Sequence, residues 1–385
     1  MGKALVTVMI FVTVPIIAAC QSESQGSNPT THTYYVAADE VEWDYAPSGM
    51  NSLTGEPFGE EEDEWVKSGS DRIGKKYKKA LYQEYTDATF TTLRPRPSEW
   101  EHLGFLGPLL RAEVGDTIKV VFKNNASFPA SVHPHGVFYN KDSEGAPSAD
   151  DTAETDKMDD AVPPGGTHTY TWPVPERAGP AEGDLSSILW MYHSHANEGK
   201  DVNAGLMGPM IVSARGTTKR DGTPEGVDRE LIVSFHEVNE NVSWYLEDNI
   251  QAYAGDPTSI DRDKIAFFHP FGASNFMTSL NGFLYGNLPG LEMREGERVR
   301  WYLMASTNFE VHAPHWHGNT VVANHMRTDV AGLLTMGMIV ADMVPDNPGA
   351  WLFHCHVRGH LIGGMSAHYT VLSDDGEAVV AKTRG

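Results

Sequence analysis

Between Trp351 and Met365 the chain reads WLFHCHVRGHLIGGM, and the twelve residues from His354 to Met365 hold one thiol, three imidazoles and a thioether. Successive side chains of an extended strand point to opposite faces. Cys355 therefore faces one way while His354 and His356 both face the other. His360 and Met365 follow that strand, where the chain can fold back to the Cys355 side. A thiolate, two imidazoles and a weak axial thioether are the ligands of a blue copper site, and His312 is the candidate for the second imidazole. Taken alone, the run is also compatible with a buried free cysteine among incidental histidines.

The rest of the chain adds further histidines in pairs one residue apart. His133/His135, His193/His195, His315/His317 and His354/His356 make eight imidazoles, enough for three copper ions taking two, three and three of them. The elements that must hold them are strands. Thr117 to Lys123, Thr167 to Val174, Glu230 to Val238 and Arg298 to Met304 alternate apolar and polar residues between Gly, Pro, Asn and Asp, the pattern of half-buried strands. No long helical period appears.

The two halves also repeat each other. LRAEVGDTI from Leu110 matches LEMREGERV from Leu291, His133-Pro134-His135-Gly136 matches His315-Trp316-His317-Gly318, and WMYHSH from Trp190 matches WLFHCH from Trp351. Where the second copy has His312, Cys355 and His360, the first has Ala130, Ser194 and Gly199. The first copy thus keeps its histidine pairs without the blue-site ligands.

H-x-H-G, H-x-H, H-x-x-H-x-H and the final H-C-H run with its trailing His and Met occur in that order, and together they resemble the multicopper oxidase family. The likeness covers nearly all of the chain beyond the N-terminal leader. It is nearest the ceruloplasmin, hephaestin and coagulation-factor A-domain branch, through RIGKKYKK from Arg72, GFLGPLL from Gly104 and YHSH from Tyr192. The resemblance implies an all-β chain of two tandem cupredoxin-like Greek-key β-sandwich domains, which fits the strand pattern. It also implies four coppers per chain, carried over motif by motif. Type 1 copper takes His312, Cys355, His360 and axial Met365; type 2 takes His133 and His315; one type 3 ion takes His135, His193 and His356, and the other His195, His317 and His354. Glu144 resembles the acid that the family places after its first motif, and is expected to relay protons.

The activity so implied is one-electron oxidation of a small reductant coupled to reduction of O2 to water. Two-domain members close the three-copper site between subunits, head to tail. A heterologous contact that closes makes a ring, so a homotrimer is expected. For the reductant, the positions matching the branch's iron site are Ala273, Thr278, Asn308 and Gly359, none of which holds Fe(II) well, although Glu310 could partly compensate. The expectation is therefore a laccase-like oxidase of phenols or aromatic amines. The alternative is a metal-ion oxidase of Cu(I), Fe(II) or Mn(II), with Met326, Met336, Met338 and Met343 as a feature favouring Cu(I). A nitrite reductase would keep its blue copper in the first domain, and a structural A domain or a copper carrier would not need eight cluster histidines. The remaining His32, His102, His168, His236, His269, His325 and His368 are expected to be surface or core residues.

A formal net charge of −23 excludes nucleic acid as the natural partner. Residues 1–19 resemble a lipoprotein signal peptide ending at Cys20, with residues 20–31 as a tether, so the chain is expected to be exported and lipid-anchored at Cys20, periplasmic or on the cell surface. With Cys20 and Cys355 the only cysteines, no structural disulfide is expected. The domain expectation is 32–215, a linker at 216–228, 229–376, and a tail at 377–385.

Overall fold

The computed structural model describes residues 2, 28–266, 268–306 and 311–373. Cys20, Asn308 and Glu310 lie outside the described residues, as do residue 1, 3–27 and the 377–385 tail.

The repeat in sequence is a repeat in topology. In the first half, one sheet runs in the order β4 (Lys76–Tyr85), β1 (Thr31–Asp44), β6 (Thr117–Asn124) and β8 (Thr167–Pro173). The other runs β5 (Leu110–Glu113), β10 (Met207–Ser213), β9 (Ser187–His193) and β7 (His133–Pro134). In the second half, β12 (Phe276–Leu280), β11 (Arg229–Asn239), β14 (Val299–Ala305) and β18 (Met338–Met343) stand in the same spatial order, extended by β16 (Val321–Ala323) and β17 (Met326–Thr328). They are followed by β13 (Glu292–Arg294), β20 (Ser366–Leu372), β19 (Gly349–Cys355) and β15 (Pro314–Trp316). Pairing sense is kept as well: β1 is parallel to β6 as β11 is to β14, and β5 to β10 as β13 to β20. The small hairpin β2 (Met50–Asn51) and β3 (Glu56–Pro57) stands apart.

Each half closes over its own core. In β6 burial alternates residue by residue, and Ile118, Val120 and Phe122 enter the first core. β14 is buried at every position, because both of its faces are covered. Trp301 and Leu303 enter the second core, whereas Tyr302 and Met304 enter a third core shared with Leu189, Met191, Met207 and Ile211 of the first half. A strand covered on both faces reads as a continuous apolar run. This third core also holds a buried ion pair. Lys79 and Glu240 are fully buried with Nζ 2.5 Å from Oε1, and Tyr45 donates to the same oxygen at 2.6 Å. The strands expected from alternation lie within two residues of those observed. Residues 214–228 carry no strand between β10 and β11. Among the described residues no helix is long and apolar enough to cross a membrane.

Candidate metal centres

Cys355, the last residue of β19, is a free, fully buried thiol. Its Sγ lies 3.4 Å from His360 Nδ1 and 3.9 Å from His312 Nδ1, and the three ligand atoms all fall within 4.8 Å of one another. Metal–ligand bonds of roughly 2.0–2.3 Å across a wide angle separate donor atoms by about this much, so the triad fits a single ion. The bridge between His312 and Leu333 and the helix Arg358–Ile362 hold the two imidazoles. Buried Met365 is tied to both neighbours, its N donating to His360 O at 2.9 Å and its O accepting from Cys355 N at 3.1 Å. Ala313 N donates to Cys355 Sγ at 3.4 Å, the kind of bond that tunes a copper thiolate.

His360 has a partner that the sequence did not reveal. Its Nε2 faces Glu237 Oε1 at 3.1 Å, with the carboxylate near the surface at 12% exposure. Burial alone would depress His360, but Cys355 and Glu237 more than offset it and raise the pKa to about 10. Glu237 sits on β11 directly across from Thr278 on β12. It lies two residues beyond Phe235, whose ring is 5.7 Å from that of His312. That period-two step from a core residue at a strand end was the available signal. Glu237 is thus a carboxylate at this edge that lies outside the matched positions Ala273, Thr278, Asn308 and Gly359. Of the expected iron-site positions, Thr278 is mostly buried, its hydroxyl 3.4 Å from His360 O.

The matching place in the first half is filled by hydrogen bonds. Ser194, in the position of Cys355, accepts from Ser131 N at 3.0 Å, just as Cys355 accepts from Ala313. It donates to Asp201 Oδ2 at 2.7 Å; Asn197 N donates to the same oxygen at 2.7 Å, and Trp244 Nε1 donates to Oδ1 at 2.8 Å. Asp201 is fully buried.

Strand register gathers the histidine pairs. β7 sets His133 against His193, and β15 sets His315 against His354. The result is two groups of four. His133, His135, His193 and His195 have ring centroids 5.2 to 5.7 Å apart where they touch. His315, His317, His354 and His356 are 4.5 to 5.5 Å apart. Imidazole nitrogens face each other at 3.1 Å between His135 and His193 and between His317 and His354. His133 Nδ1 donates to Glu144 O at 2.6 Å and His354 Nδ1 to Cys355 O at 2.8 Å, which turns each Nε2 inward. Burial pushes His135 down to about 4 and His193 to about 3, so both are neutral donors of the kind a metal requires. The glycine of each H-x-H-G is also explained: Gly136 and Gly318 have positive φ, and a Cβ on either would lie 2.3 or 2.4 Å from the ring of Trp190 or Trp351. Among the described residues no hydrogen bond or ring contact joins the two groups of four.

Glu144 reaches its site through its backbone. Its carbonyl accepts from His133, while its carboxylate pairs with Lys141. The four methionines do not form a shared surface: Met343 is in the second core, Met336 and Met338 pack on the third, and Met326 is exposed. His32 pairs with Asp116, His102 accepts from Ile232 N, and His236 is fully buried.

Two family profiles described as multicopper oxidase match residues 102–217 and 258–375. The chain is 44% identical over 359 residues to a mouse protein named ferroxidase HEPHL1, covering 92% of this chain and 30% of that one. It is 43% identical to rat hephaestin over 343 residues, 88% of this chain and 29% of the relative. With human ceruloplasmin it shares 39% over 349 residues, 88% and 32% of the two chains. The chain thus spans about three tenths of the curated relatives it matches. Two solved structures share the fold: a multicopper oxidase, mgLAC, with TM-score 0.57 and 18% identity over 92% of this chain and 89% of that one, and a blue copper oxidase from Nitrosomonas europaea with TM-score 0.54 and 17% identity over 90% and 86%.

Proposed function

The chain belongs to the multicopper oxidase family, in the ceruloplasmin and hephaestin branch, and from that premise we propose that it is a metal-ion oxidase, with Fe(II) as reductant and O2 as acceptor. The observation that carries the choice of reductant is Glu237 beside His360. A divalent cation must shed water next to a site that will itself be cationic, which needs an anionic ligand. A relative in this branch points the same way, since the mouse protein bears the name ferroxidase HEPHL1. The laccase-like expectation takes second place. It is favoured by the exposed apolar side chains of Val311, Leu334 and Leu361, neighbours in sequence of His312, Leu333 and His360.

Bound copper would supply the redox chemistry, accepting single electrons at the Cys355 triad and passing four of them with four protons to O2 to give two waters. The chain's part is to hold and connect. His312, Cys355, His360 and Met365 would hold the type 1 ion. His133 and His315 would hold type 2, with His135, His193, His356 and His195, His317, His354 for the type 3 pair. Glu237 accepts a hydrogen bond from His360 Nε2–H, which orients the ring, and its carboxylate is the anionic group beside that ligand that an incoming cation would meet. Cys355 is bonded through the backbone to His354 on one side and His356 on the other, so thiolate and cluster imidazoles are joined by covalent bonds alone. Each chain holds two half-clusters that do not meet, so completion is assigned to a neighbouring copy in a closed ring of three. Three copies make up about the length of one relative, of which one chain spans 30%. Export and a lipid at Cys20 remain part of this reading.

The test is kcat/KM for Fe(II), Cu(I), Mn(II) and a phenol at one pH and ionic strength. Glu237→Gln should cost Fe(II) about tenfold, roughly 1.4 kcal/mol, and leave the phenol nearly unchanged. Equal losses for both substrates would sink the cation reading.

A further inference from the structure

The first group of four contains a carboxylate that no motif marks. Asp159 is fully buried, and its Oδ2 accepts from Gly145 N at 2.7 Å. That N–H belongs to the same peptide group whose carbonyl, Glu144 O, accepts from His133 Nδ1 at 2.6 Å. Carboxylate, peptide and imidazole therefore lie in series, with one peptide bond between Asp159 and His133. The peptide is pinned from other sides too. Gly145 has φ +69°, and a Cβ there would sit 2.5 Å from Val132 O, so the turn admits only glycine. Ser131 Oγ donates to Gly145 O at 2.6 Å and accepts from His195 N at 3.0 Å, which links the same loop to a second histidine of the group. Tyr170 OH donates to Asp159 O at 2.8 Å. Oδ1 of Asp159 has no hydrogen-bond partner among the described residues.

We propose that Asp159 is a positioning residue for the type 2 ligand His133, acting through the Glu144–Gly145 peptide. A hydrogen-bonded partner on the far nitrogen fixes a ligating imidazole's tautomer and ring orientation. Here that partner is a backbone carbonyl, and the carboxylate behind it sets where the carbonyl points. Polarising the peptide from its N–H end strengthens the bond at its C=O end. His133 is thereby held with a proton on Nδ1 and its Nε2 lone pair aimed into the group. The side chain of Glu144, turned to Lys141, takes no part in this series.

This rests on the assignment of His133 as a copper ligand, and the experiment separates the two. Copper is counted, and the visible blue absorption and the type 2 paramagnetic resonance signal are recorded, for the wild-type chain, Asp159→Ala and Asp159→Asn. Wild type with a single copper per chain would overturn the copper assignment itself. With four in the wild type, Asp159→Ala should keep its blue absorption, lose at least half of its type 2 signal, and bind type 2 copper at least tenfold more weakly. Asp159→Asn keeps an oxygen for Gly145 N–H and should restore most of that signal. An unchanged type 2 signal in Asp159→Ala overturns the proposal, as does loss of blue absorption in equal proportion, or failure of Asp159→Asn to restore it. If Asp159→Ala does not fold, the metal-free wild type still decides: the Gly145 amide should exchange with solvent at least a hundredfold more slowly than an exposed loop amide, and rapid exchange overturns the proposal.

Discussion

Cys355 is the residue on which a spectroscopic consequence rests. It is the one cysteine among the described residues, and its Sγ lies within reach of both His312 and His360. Cys355→Ser should abolish blue absorption while leaving both groups of four able to bind copper, because their nitrogens lie on the opposite face of β19 or on other strands. Metal analysis with absorption spectra checks this, and a serine variant that stays blue refutes the ligand. The same residues set a pH response of the metal-free protein. His135 titrates in the folded state at about 4 and His193 and His312 at about 3, all below the ordinary histidine value of about 6.5. The unfolded chain therefore binds more protons between those values, and stability falls as pH drops below about 6.5. His360 is raised to about 10, so its contribution is complete below about 6.5 and is lost as pH climbs toward 10. Thermal melts of copper-free protein should peak near neutral pH, and a Tm that rises from pH 7 to pH 5 would contradict this.

At the scale of elements, what matters is how strand and turn replace metal in one half and accept it in the other. The loop after β9 is held by Asp201, which receives Ser194, Asn197 and Trp244; the loop after β19 offers Cys355, His360 and Met365 instead. Trp244 comes from the second half of the chain, so this carboxylate also ties the helix Glu198–Ala204 across the interface. Asp201→Ala strands three donors, each costing about 1–3 kcal/mol when left unsatisfied. It should lower stability by several kcal/mol and weaken copper binding by the first group, with the blue absorption retained. Denaturant melts and copper counts measure both. The two groups of four histidines were legible because an H-x-H pair puts both imidazoles on one face of a strand, and strand pairing then sets His133 against His193 and His315 against His354. Asp201, Asp159 and Glu237 were not. Each acts on a histidine or its loop through register or a turn, and a lone acid in a chain with 52 of them carries no periodic signal. Alternation marked β11 and β14 as half-buried strands, whereas β14 is buried throughout and β11 nearly so; what covers the second face is the third core, shared with the first half, which no pattern within either strand announces.

For the whole molecule, the separation of the two groups of four is decisive. His133, His135, His193 and His195 sit in the first half and His315, His317, His354 and His356 in the second, with no hydrogen bond or ring contact between the groups among the described residues. The third core fixes the halves back to back through β9, β14 and β18, and the buried Lys79–Glu240 pair adds a specific lock. Breaking that pair by removing one partner leaves a buried charge and typically costs 3–5 kcal/mol, so swinging the halves together within one chain is an expensive route to a complete cluster. In the ring proposed above a head-to-tail neighbour would need no such movement, since its first group would meet this chain's second. Assembly and O2 reduction should therefore be inseparable. A His133→Ala/His135→Ala chain and a His315→Ala/His317→Ala chain should each be nearly inactive alone, because every interface in either ring lacks two ligands. Dissociated, mixed and reassembled, the two should form rings in which some interfaces pair an intact first group with an intact second group, restoring about a quarter of wild-type O2 uptake if mixing is random. Light scattering on the same samples reports the ring. Full activity in a particle of one chain's mass, or no recovery in mixed rings of the right mass, rules out clusters shared between copies.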